Sequence, residues 1–79
     1  MRLKRLGPSM TELEYIDGTR VLYSYETPCA VCCGGSYIRT DRYISNTTSG
    51  HGGHIERWLA GARAAIVKHE EILRIAERE

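Results

Sequence analysis

The chain has 79 residues, of which 42% are hydrophobic, 8% aromatic and 27% charged, a composition that fits one small globular domain and excludes a two-domain enzyme. Eleven Lys and Arg against ten Asp and Glu give a net charge of +1, so only a local basic patch, not a uniformly basic surface, can meet a polyanion. A chain this short buries only about 60% of its unfolded surface, which makes contributions from a metal, a disulfide or a second subunit worth looking for.

The N-terminal Met1-Arg2-Leu3-Lys4-Arg5-Leu6 lacks the apolar run of a secretory signal, and no stretch approaches the length of a membrane span. A cytoplasmic location is therefore expected, and the odd count of three cysteines reads as reduced thiols or ligands rather than a disulfide framework. Strand signals then dominate as far as residue 44. Thr11–Ile16 and Thr19–Tyr25 are rich in β-branched and aromatic residues and flank Asp17-Gly18, a two-residue hairpin signal. Period-two alternation puts Leu13, Tyr15, Val21, Tyr23 and Tyr25 on one apolar face and leaves Glu12, Glu14 and Ser24 for water.

Pro28 marks a turn or a bulge at a sheet edge, because it cannot donate to a ladder. Cys29–Cys33 and Ser36–Thr40 flank Gly34-Gly35, a second hairpin signal that sets Val31 opposite Ile38 and Cys32 opposite Tyr37. The polar, glycine-rich segment 45–53 reads as a loop. After it, Ile55, Leu59, Ala62, Ile66, His69, Leu73 and Ala76 recur at helical spacing, with Trp58, Ala65 and Ile72 widening the stripe, which predicts one helix over 54–77. Such a helix would be about 36 Å long against about 20 Å for a six-residue strand. Its distal stripe would need cover, and Ile66, His69, Ile72 and Leu73 are the expected contacts of a homodimer.

The expected architecture is thus a single α+β domain over 1–79: an antiparallel sheet of about four strands within 11–44 and one long C-terminal amphipathic helix. Cys29-x-x-Cys32 and His51-x-x-His54 offer the residue types of a tetrahedral zinc site. Against this, a regular strand puts Cys29 and Cys32 on opposite faces, so the favoured reading makes the cysteines small apolar fillers, with no metal and no cofactor. Neither a Cys–His nucleophile in so short a chain nor any P-loop, dinucleotide or Ser-His-Asp pattern argues for an enzyme.

A basic and aromatic group stands out instead. Tyr37, Arg39, Arg42 and Tyr43 precede a predicted helix whose first half carries Arg57, Arg63 and Lys68 against Glu56 alone, a charge order that opposes the helix dipole and so points to binding. Arg39, Arg42, Tyr43 and Arg57 are the expected partner-binding residues. Thr47, Thr48 and Ser49 would suit an anionic group. Glu70 and Arg74 form a favourable i,i+4 pair at the distal end.

The segments Tyr23-Ser24-Tyr25-Glu26-Thr27-Pro28-Cys29-Ala30, Tyr37-Ile38-Arg39-Thr40 and Ser45-Asn46-Thr47-Thr48-Ser49-Gly50-His51 resemble a pattern of small uncharacterised proteins of phages and mobile elements. That resemblance implies no enzymatic activity and no cofactor. It implies a protein acting in a host cytoplasm on a host protein or nucleoprotein complex, as anti-CRISPR inhibitors do when they dock on a crRNA-guided surveillance complex and block target DNA. The alternatives are a phage nucleic-acid-binding accessory protein and a small zinc module using Cys29, Cys32, His51 and His54.

Overall fold

The computed structural model describes residues 2–77. Six strands form one sheet in chain order: β1 (Arg2–Gly7), β2 (Met10–Glu14), β3 (Arg20–Ser24), β4 (Thr27–Cys33), β5 (Ser36–Thr40) and β6 (Ala64–Val67). β1 to β5 run antiparallel, each to the next, while β6 lies parallel to β5. Three short helices, α1 (Asn46–Ser49), α2 (His54–Leu59) and α3 (His69–Ala76), complete the α+β domain.

Turn chemistry sets the registers. Gly34 and Gly35, at φ 60° and 83°, close a two-residue turn that pairs Val31 with Ile38 and Cys32 with Tyr37, as the sequence predicts. The first hairpin departs by one residue. Glu14 pairs with Arg20 and the Tyr15 N–H donates to the Thr19 carbonyl at 2.7 Å, so the loop is Ile16-Asp17-Gly18 and Ile16 is 98% exposed. The Asp17 carboxylate accepts the Thr19 N–H at 3.0 Å, which stabilises this longer turn.

Pro28 lies inside β4, a central strand, opposite an irregularity between Leu22 and Tyr23. Leu22 pairs with Ala30 and Tyr23 with Pro28, so Cys29 is the extra residue of a bulge. Cys29 and Ala30 therefore share one core, whereas strict alternation along a regular strand would put Cys29 with Val31, which lies in the other.

The sheet is covered on both faces. Met10, Leu22, Cys29, Ala30, Ile55 and Leu59 form a core beneath α2, and Tyr15, Val21, Val31, Ile72 and Ala76 form a second core beneath α3. Glu12 and Ser24, assigned to water by a one-faced reading, are buried at 8% and 0% exposure.

The largest correction concerns the predicted helix over 54–77. Ala60 and Gly61 adopt left-handed φ of 52° and 88°, which ends α2 after six residues; the Ala60 N–H closes on the Glu56 carbonyl at 3.1 Å. The chain then re-enters the sheet as β6 and turns into α3 on the other side. The helical periodicity is real at both ends, but Ile55 and Leu59 fill one core while Ile72 and Ala76 fill the other.

Each longer helix is pinned by its first residue to a hydroxyl at the end of a strand. His54 Nδ1 lies 2.7 Å from Ser24 Oγ, and His69 Nδ1 lies 2.7 Å from Thr40 Oγ1.

Candidate functional site

The β5–β6 pairing sets Arg39 beside Ile66 on the face that also carries α1 and α2. Two adjoining cavities share these two residues. One of about 360 Å³ is bounded further by Glu56, Leu59, Ala62 and Ala64. The other, of about 160 Å³, is bounded by Thr40, Asp41, Arg42, Tyr43 and Ser49. Ile66 is 69% exposed and Tyr43 63%, so an apolar and an aromatic side chain stand in solvent beside two arginines.

The segment presenting Arg42 and Tyr43 is tied down at several points. Thr40 Oγ1 accepts the Arg42 N–H at 3.1 Å, the Asp41 N–H donates to the Val67 carbonyl at 2.9 Å, and the Ile44 N–H donates to Ser49 Oγ at 3.0 Å. The Tyr43 hydroxyl donates to Asn46 Oδ1. Ser45 caps α1 by accepting the Thr48 N–H at 3.3 Å, so the predicted loop 45–53 contains a helical turn. A surface held this way loses little conformational entropy on binding.

The structure thus brings Arg39, Arg42 and Tyr43 together. Arg57 is exposed on α2 and borders neither cavity. Of the residues expected at a helical dimer seam, His69 and Ile72 are buried within the domain and Leu73 is half-buried, leaving Ile66 alone exposed, on a strand. These four do not form one exposed stripe.

Burial pushes the Cys29 thiol up to about 12, and its S–H donates to the Leu22 carbonyl at 3.5 Å, which keeps the sulfur protonated. Cys32 Sγ accepts from Arg20 at 3.3 Å, His54 is bonded to Ser24, and His51 stands in solvent 3.5 Å from Glu56. Among the described residues, no group of three or more His, Cys, Asp or Glu is placed to hold a metal ion.

Two polar clusters escape a period-two reading of the strands. Glu12 Oε1 accepts from Trp58 Nε1 at 2.9 Å and from Arg20 at 3.5 Å, while the Arg20 guanidinium lies 5.8 Å from the Trp58 ring centroid. Hydrogen bonding to Cys32 raises the Arg20 pKa, against the opposing effect of burial, and Tyr37 meets Trp58 edge-on at 5.7 Å. The second cluster joins Ser24 Oγ to Thr48 Oγ1 at 2.5 Å and to His54. Ser24 is fully buried, so this hydroxyl–imidazole pair holds α1 and α2 on the sheet and is closed to substrate.

A family model matches residues 1–74, and the chain belongs to that family, DUF8033, a family of unknown function. No curated protein and no solved structure matches the chain. Among the described residues no helix is long and apolar enough to cross a membrane.

Proposed function

We propose that this chain is a non-enzymatic binding protein that engages an acidic surface of a macromolecular partner through Arg39, Arg42 and Tyr43. The observation that carries this reading is their convergence, with exposed Ile66, on the rigid rim of two adjoining cavities. An apolar and aromatic centre flanked by arginines has the composition of energetically dominant interface residues. Ile66, exposed beside the arginines, offers an apolar contact that a phosphate backbone cannot meet, which favours a protein over a nucleic acid, and Asp41 and Glu56 on the same cavities restrict where the partner's carboxylates can sit.

The finer reading, a phage-type inhibitor that acts in the host cytoplasm on a crRNA-guided surveillance complex, rests on the resemblance of the central segments to small phage proteins. Changing Arg39 and Arg42 together to Glu tests the face. The double variant should keep its circular dichroism spectrum and lose capture of the effector, together with any protection of phage DNA in an interference assay. Retained capture would dismiss the face. Binding to a mixed-sequence oligonucleotide that collapses between low and moderate salt would favour the accessory-protein reading instead.

A further inference from the structure

We infer that the outer edge of β6 is a strand-addition site for an extended acidic segment of a partner protein, an inference that rests on the proposed binding face and names how the partner sits on it. β6 ends the sheet. The Asp41 N–H donates to the Val67 carbonyl, and Thr40 pairs with Val67. In a parallel ladder, residues on one strand alternate between pointing both backbone polar groups toward the neighbour and pointing both away. Val67 and Ala65 therefore face β5, while the N–H and C=O of Ala64 and Ile66 face outward along an edge that no strand among the described residues pairs.

The two edges of the sheet are built differently. β1 carries Arg2, Lys4 and Arg5, the charges that blunt an edge against pairing. β6 reads Ala-Ala-Ile-Val, with no charge and no proline, so nothing within the strand opposes an incoming one.

Charge selects the occupant. Exposed Arg63 and Lys68 bracket β6 in the chain, and Arg39 and Arg42 lie alongside Ile66 on one face of the edge. Among the described residues none of these four forms an ion pair. Glu56 on the α2 side is engaged by the Gly52 N–H at 2.8 Å and by His51 at 3.5 Å, and Asp41, exposed between Arg39 and Arg42 on the same cavity, is outnumbered by the four cations. A second copy of this chain is a poor occupant: antiparallel pairing through the outward Ala64 and Ile66 would gather Arg39 and Arg42 of both copies on one face of the joined sheet, with no carboxylate in either β6 strand to offset them. A strand bearing carboxylates at alternate positions meets the same cations favourably, while the outward amide and carbonyl of Ile66 supply ladder bonds.

The probe is a fluorescein-labelled hexapeptide of alternating Glu and Val, followed by fluorescence anisotropy and by amide shifts of the isotope-labelled protein. The largest shifts should fall on Ala64–Val67. Ile66→Pro removes an N–H that the β5 ladder does not use and should weaken binding by about tenfold or more. The same peptide N-methylated at alternate backbone amides keeps every charge and leaves the protein untouched, and it should lose affinity by a similar factor. If the methylated peptide binds as well as the plain one, strand addition is wrong while the basic face stands. If Arg39→Glu with Arg42→Glu leaves peptide affinity unchanged, the basic face falls and strand addition through the backbone survives. An absence of peptide binding, a dimer that Ile66→Pro dissolves, or preferential binding of an oligonucleotide would each overturn the inference.

Discussion

His54 is a titratable group held where its charged form is disfavoured. Burial lowers its pKa, the nearby positive charge of Arg57 lowers it further, and Nδ1 is bonded to a Ser24 hydroxyl that also contacts Thr48. In the unfolded chain the imidazole titrates near 6.5. Between the folded and unfolded values the unfolded chain binds the extra proton, so stability is complete above about pH 6.5 and is lost as the pH falls toward the folded value. Thermal melts from pH 8 to pH 5 should show a plateau followed by a decline that starts below about pH 6.5. Arg57→Gln should make that decline shallower, because it removes the second cause of the shift. A melting temperature that stays flat from pH 7 to pH 5 in the parent chain would remove His54 from this account.

At the scale of elements, Ala60 and Gly61 decide the architecture of the C-terminal third. Gly61 sits at φ 88°, and a Cβ there would meet nothing within 4 Å, so Gly61→Ala carries only a conformational cost of about 1 kcal/mol. Gly53→Ala should cost more, since its Cβ would fall 2.6 Å from the Thr47 carbonyl and 2.9 Å from that of Gly50. Urea titrations of the two variants should rank them in that order, and a reversed ranking would contradict the close approach of α1 to α2. The same two residues explain what the sequence hid. Ala62, Ala65, Ile66 and His69 continue the spacing set by Ile55 and Leu59, so a periodicity reading runs straight through a four-residue strand; Gly61 was the visible signal, and its left-handed geometry outweighs the stripe. β1 was hidden differently, because an edge strand buries almost nothing and shows charges where alternation looks for apolar residues. The hairpins were legible where turn chemistry is unambiguous, as at Gly34-Gly35, and slipped by one residue where Asp17 could extend the loop. Arg39, Arg42 and Tyr43 were legible as a group because they lie within five residues of chain; the neighbouring Ile66 was visible only as part of a helix that does not form.

At the scale of the whole molecule, one sheet serves two small cores, so neither side is stable by itself and the chain should unfold as a unit. A domain of this length has a total stability of roughly 4–12 kcal/mol, and removing a fully buried large aliphatic side chain costs about 2–5 kcal/mol. Ile72 is fully buried on the α3 side, across the sheet from the cavity holding Leu59 and Ala64, which pack with the α2-side core. Ile72→Ala should therefore lower the urea midpoint sharply in a single transition followed equally by tryptophan fluorescence, which reports Trp58 beside the α2-side core, and by far-ultraviolet circular dichroism. Well below its melting temperature the variant should still bind the Glu–Val peptide, because the face that meets a partner is carried by β5, β6 and the turn before α1. Two separate transitions would mean that the cores fold independently. A loss of binding in the folded variant would place the interaction surface on α3, where the sequence periodicity alone would have put it.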